Sequence, residues 1–356
     1  MRKYYLDNIR WATILLVMVY HVFYAFNAVG VLGGVGGFEE VQYQDAFLYF
    51  VYPWFMVLLF VIAGISARYA LEKCAGRAFI GKRTWKLLVP STLGLFVYQW
   101  IVGYFNIKVG GGLEYLPAFL VYPVSALSGT GPLWFAQVLW LYSLLIVLVK
   151  KMDKEDRLWK LGEKCNILIL FLLVFPLWGG AQILNMPVIT MYRLGIYLAA
   201  FLLGYTVFSH ENVQETLAKY GLPMLLAGAV LGVVYTVYYF GQNYTEDYVL
   251  KNFFTNAYAW LMVLGILGFG KKYCDKQNQF SAHMTKISFG LYVLHYTFIT
   301  IPCYYLKEKT TLPAGVIYPV CLLIVFVCTP LWYEVMRRIP VIRCLVLGIR
   351  RKDDKR

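Results

Sequence analysis

Ten apolar runs of membrane-spanning length constrain this chain more than any single motif does. They lie at about 9–32, 46–67, 87–107, 133–149, 167–185, 193–208, 222–241, 253–270, 287–306 and 316–336. A helix rises about 1.5 Å per residue, so about 20 apolar residues cross a hydrocarbon core about 30 Å thick. In that solvent each backbone polar group must be bonded within the protein, which selects helices. The runs predict an all-α integral membrane protein with about ten transmembrane helices, one polytopic domain over 1–336 and a basic tail over 337–356. Composition agrees, with 60% hydrophobic and 15% charged residues. Soluble domains carry roughly 25% charged residues, so composition argues against an ordinary soluble enzyme and excludes a disordered chain. The run at 193–208 is the weakest, being short and interrupted by Gly195 and Gly204. Pro53, Pro176 and Pro330 fall inside runs, where neighbouring groups can bond the freed backbone.

Orientation follows from the cations. With the N-terminus placed in the cytoplasm, 28 of the 33 Lys and Arg residues fall on the inner side. That bias predicts both termini cytoplasmic and an even number of spans, in a multi-pass protein of the cell membrane. The net charge of +14 is then a property of the inner face, suited to anionic lipid. No soluble basic module exists that would serve nucleic acid. The seven cysteines show neither a zinc spacing nor an outer-loop disulfide framework, so no metal site is expected. The first run exceeds a signal-peptide core and lacks an A-x-A site, and is read as a retained helix.

The chemistry concentrates in that first helix, where Arg10 and His21 are eleven positions apart. At 100° per residue they share one face, about 16 Å apart along the axis. Arg10 belongs at the inner headgroups, while His21 lies deep in the hydrocarbon. An ionisable group at that depth marks a functional candidate, although an imidazole bonded across helices for packing alone is the competing reading. A neutral imidazole there suits general-base work near pH 7. Asp7 stands three residues before Arg10, placed to pair with it. His295 lies within the ninth run with Tyr292 three residues before it; a structural hydrogen bond and a ligand-facing role both stay open. His210 and His283 fall in inner loops and read as solvated. Gly33, Gly34, Gly36 and Gly37 lack a phosphate-loop ending and read as a flexible hinge. Glu39, Glu40 and Asp45 follow on the outer side, any of which could orient His21. The longest outer loop is 108–132.

The segment YLDNIRWATILLVMVYH (5–21) resembles the first-helix signature of the membrane acyltransferase-3 family, which pairs an arginine with a histidine after ten intervening residues. FVIAGISARYAL (60–71), FIGKRTWKLLVP (79–90), GPLWF (131–135), YLAAFLLGY (197–205) and ISFGLYVLHY (287–296) resemble further family segments, in order. Ser66-Ala67-Arg68 is similar to the glucan-modifying branch, whereas Ala63 replaces the family's usual serine. The resemblance implies O-acyl transfer from cytoplasmic acyl-CoA, such as acetyl-CoA or succinyl-CoA, to an envelope glycan or glycolipid, with no permanently bound cofactor. His21 would be the catalytic base. Arg10, Arg68, Arg83 and Lys86 at the inner rim would hold the donor's phosphates, and Tyr292 and His295 would help to bind it. A transporter or flippase for an envelope lipid or glycan is the rival class. It would move its solute without releasing thiol from acyl-CoA.

Overall fold

The computed structural model describes residues 3–31, 33–186 and 192–350. Arg2 and the charged end of the tail, 351–356, lie outside the described residues. The protein is 79% helical, and no strand occurs among the described residues. In chain order the principal helices are α1 (Tyr4–Ala25), α2 (Ala46–Lys73), α3 (Gly76–Val109), α4 (Ala118–Ser128), α5 (Trp134–Met152), α6 (Ile167–Gln182), α7 (Leu194–Thr206), α8 (Glu211–Tyr239), α9 (Phe253–Tyr273), α10 (Gln279–Leu294), α11 (Thr297–Lys309) and α12 (Ala314–Met336). Seven of these are long and apolar enough to cross a membrane, and the bent pair α10–α11 makes an eighth. The protein is thus an all-α membrane protein. Each of the ten apolar runs contains helix among the described residues, but α6 and α7 belong to the shorter class of 10–17 residues.

The chain divides into two compact units. The first comprises residues up to Thr13, Ala46–Phe79 and Leu141–Thr285. Here α2 packs on α7, and α8 on α9. Lipid gives helices no hydrophobic reason to associate, so close backbone approach supplies the contact energy. Gly64 and Gly204 provide it: a Cβ on Gly64 would sit 2.0 Å from the Phe201 carbonyl oxygen, and one on Gly204 2.2 Å from that of Val61. Gly204, which weakened the 193–208 run as a sequence, is the contact point that this helix needs.

The second unit comprises Ile14–Asp45, Ile80–Trp140 and the chain from Lys286. The Gly33–Gly37 segment is not a hinge here but a cap. Val35 and Gly36 donate backbone N–H bonds to the Ala25 carbonyl at 2.9 and 3.2 Å, and Phe38 donates to Phe26 at 3.1 Å. These bonds satisfy carbonyls that the end of α1 leaves orphaned. The outer loop expected at 108–132 contains helix α4, which packs on the last part of α3.

Between α10 and α11 the chain bends by 46°. The break falls at His295 and Tyr296, and its orphaned carbonyls are satisfied by side chains. His295 Nδ1 bonds the Tyr292 carbonyl at 2.7 Å, and Gln99 Nε2 donates to the Val293 carbonyl at 2.7 Å. A side chain inserted into the helical ladder is a recognised cause of such a kink.

Candidate functional site

Within the second unit, α1 carries His21 to the bend at His295. His21 is half-buried and His295 is 0% exposed. His21 Nδ1 and His295 Nε2 are 3.0 Å apart, a full hydrogen bond. Three tyrosines surround the His21 ring: Tyr20, Tyr24 and Tyr296 meet it edge-on, with centroids 5.5, 6.1 and 5.2 Å away. The side-chain partner of His21 is therefore a second imidazole, beside the Val17 carbonyl of its own helix. Asp45 is engaged elsewhere, accepting from the Tyr318 hydroxyl at 2.8 Å and from the Gln42 amide at 3.1 Å.

The GPLWF segment braces this bend. The Tyr292 hydroxyl donates to the Pro132 carbonyl, and Phe135 meets the Tyr292 ring edge-on at 6.1 Å. Gly131 adopts φ +43° beneath the Tyr296 ring, where an added Cβ would lie 3.4 Å from it. That backbone region disfavours residues with a side chain, so glycine suits the position. Two sequence segments that looked independent, 131–135 and 287–296, thus form one support. Tyr292 contributes its hydroxyl to the brace and its carbonyl to His295.

Of the cations expected to meet a donor, Arg83 and Lys86 lie in this second unit. Lys86 sits on a π-helical turn, Thr84–Leu88, with its ammonium 4.5 Å from the Phe289 centroid. Arg83 immediately precedes that turn and is half-exposed.

In the first unit, Arg10 donates to Asp7 Oδ1 at 2.8 Å through Nη1 and to Ser66 Oγ at 2.8 Å through Nη2. The i, i+3 pair with Asp7 thus forms, and Ser66 completes its orientation. Arg68 is placed differently from expectation. It is 5% exposed and faces carboxylates rather than an open rim. Its Nη1 and Nη2 donate to Asp156 at 2.8 and 3.2 Å, and its Nε donates to Glu72 at 2.9 Å. The Trp159 ring covers the guanidinium at 4.2 Å. The Arg68 hydrogen bond, above all, holds Asp156 below the usual carboxylate range. Sequence reading missed this cluster because Asp156 lies in a lysine-rich loop, where an acid looks like solvated surface.

His210, expected in solvent, is 4% exposed and stacks on Trp159 at 4.0 Å, with Nε2 2.8 Å from the Trp159 carbonyl. His283 is exposed, as expected.

Fold and site together define a polytopic helical membrane protein with a paired, intramembrane imidazole. The acyltransferase-domain model of the acyltransferase-3 family matches residues 3–333, and the chain belongs to that family of membrane acyltransferases. No curated protein and no solved structure matches it significantly.

Proposed function

We propose that the protein moves an acetyl or succinyl group from cytoplasmic acyl-CoA to a hydroxyl of an extracytoplasmic carbohydrate, with His21 as general base. Family membership supports acyl transfer. The observation that carries the role of His21 is its 3.0 Å contact with His295 inside an apolar, tyrosine-lined setting. The proposed orientation places both termini in the cytoplasm of a cell bounded by this membrane, as the inner-side bias of Lys and Arg favours.

The reaction balances without any further reagent. The acceptor O–H bond breaks, its proton passes to His21 Nε2, and the oxygen attacks the thioester carbonyl carbon. Collapse of the tetrahedral adduct breaks the C–S bond, and the CoA thiolate takes the proton back from His21 Nε2. The products are an ester and free CoA thiol. Arg83 and Lys86 are proposed contacts for the donor's phosphates, since cations and phosphate oxygens form charge-assisted bonds.

Purified protein reconstituted in lipid and given acetyl-CoA or succinyl-CoA with an envelope carbohydrate fraction tests the reading. Stoichiometric release of thiol and a carbohydrate heavier by one acyl group are expected. Movement of carbohydrate across the bilayer with no thiol released would overturn the proposal in favour of a transporter.

A further inference from the structure

His295 is held at both ring nitrogens, and this determines which proton His21 carries. Nδ1 of His295 faces the Tyr292 carbonyl at 2.7 Å. A carbonyl only accepts, so that nitrogen bears hydrogen. In a neutral ring Nε2 is then a bare lone pair, and it faces His21 Nδ1 at 3.0 Å. His21 Nδ1 must supply the hydrogen of that bond, which leaves His21 Nε2 unprotonated. Hydrogen-bond partners are the usual grounds on which histidine tautomers are assigned.

We propose that His295 is a positioning residue that locks His21 in its Nδ1–H tautomer, so that Nε2 is the nitrogen that removes the acceptor's proton. This rests on the reading of His21 as base. The Val17 carbonyl, one turn back on α1, also accepts from the His21 ring; without the His295 lone pair 3.0 Å from Nδ1, the ring is free to take the opposite tautomer, whose Nε2 is already protonated and cannot act.

The fold defends the arrangement. The Tyr292 carbonyl is available to the ring because the helix breaks at His295, and Gln99 holds the next carbonyl, that of Val293. Rotating the His295 ring by half a turn would exchange nitrogens for carbons and strand both partners in a fully buried place, at the cost of two hydrogen bonds. The pairing also survives the reaction. When His21 Nε2 gains the acceptor's proton, the ring becomes a cation that still donates from Nδ1 to His295. The His295 lone pair then faces that charge, and His295 itself neither gains nor loses a proton. A neutral imidazole does here what a carboxylate does in other triads, with no buried anion to desolvate.

The test combines a spectrum with kinetics. The chain has four histidines, so nitrogen-15 solid-state NMR of histidine-labelled protein in lipid bilayers can resolve His21. In the unmodified protein, His21 is expected to show a protonated Nδ1 and an unprotonated Nε2. His295→Phe keeps a planar ring but removes the acceptor. It is expected to move the His21 proton to Nε2 and to lower kcat about 10²–10⁴-fold, the range of one general base in the wrong form, with the acyl-CoA KM within about threefold. His295→Gln can accept from His21 through its carbonyl and donate to Tyr292 through its amide, so kcat is expected within about tenfold of wild type. A protonated Nε2 on His21 in the unmodified protein would overturn the proposal even if His295→Phe fails to fold. So would an unchanged kcat in folded His295→Phe. If the tautomer is as proposed but His21→Ala retains full activity, the base reading fails while the positioning geometry stands.

Discussion

Replacing Asp156 by asparagine distinguishes a structural Arg68 from a donor-binding one. The guanidinium is 6% exposed at its side chain, whereas Asp156 and Glu72 are 32% and 42% exposed. Charge-assisted hydrogen bonds contribute about 1.5–3 kcal/mol each, and stranding one member of a buried ion pair costs about 3–5 kcal/mol. Water reaches Asp156 and screens the pair, while Glu72 and the Trp159 face remain to the cation. The cost of Asp156→Asn should therefore fall below that of a fully buried pair, at about 2 kcal/mol. Arg68→Met removes the cation but frees two carboxylates that can reach solvent, so about 1–2 kcal/mol is expected, part of it from the lost Trp159 contact. The double variant should be less destabilised than the sum of the singles by about 1–2 kcal/mol, because the residues share one interaction. Thermal unfolding in detergent checks this, with each kcal/mol lowering the midpoint by about 2–4 °C in a domain of some 200 residues. Acyl-CoA KM should stay within about twofold of wild type in the folded fraction, as a destabilised core does not alter ligand contacts. An Arg68→Met protein with an unchanged midpoint and a tenfold higher acyl-CoA KM would refute the reasoning and return Arg68 to the donor.

The same pair has a pH signature. Asp156 is depressed by the Arg68 hydrogen bond, so its stabilisation is complete above the ordinary aspartate value of about 3.9 and fades as pH falls through the lower folded value. The midpoint difference between wild type and Asp156→Asn should be constant from pH 5 to 7 and close in more acid buffer; a gap that widens below pH 4 contradicts the assignment. Gly64→Ala must part α2 and α7 by about 1.4 Å to lengthen a 2.0 Å approach to ordinary contact, whereas Gly81 and Gly179 have open space. Loss of about 1–3 kcal/mol is expected for Gly64→Ala and none for Gly81→Ala, again by thermal midpoint. Arg10 bridges Asp7 and Ser66 with two separate nitrogens, which the single ammonium of lysine cannot reproduce. If Arg10 also serves the donor, Arg10→Lys should raise the acyl-CoA KM about tenfold with kcat within threefold, the scale of one charge-assisted bond.

Much of this was legible before any coordinates, because in a bilayer the length of an apolar run is itself a structural statement. All ten runs contain helix among the described residues, and α1 carries Arg10 and His21 on one continuous helix. What sequence could not supply was pairing at long range. His21 and His295 are 274 positions apart, and Arg68 and Asp156 are 88 apart. Neither contact follows from periodicity or charge. A carboxylate was the natural expectation for orienting His21, and three lay nearby in the chain; the fold gives Asp45 to Tyr318 instead. The glycine segment after α1 misled for a related reason. Flexible composition signals a hinge only until a helix end with unsatisfied carbonyls claims its amides. A tyrosine three residues before a buried histidine was the available clue to the bend. Its meaning emerges only once the Tyr292 carbonyl is seen to receive the His295 ring.

The most direct measurement is the rate at which reconstituted His21→Ala protein releases thiol from acyl-CoA in the presence of acceptor, beside wild type. A fall of about 10²–10⁴-fold with the protein still folded is expected of a lost general base. A rate within threefold of wild type would contradict the account, because no chemistry would then pass through this imidazole.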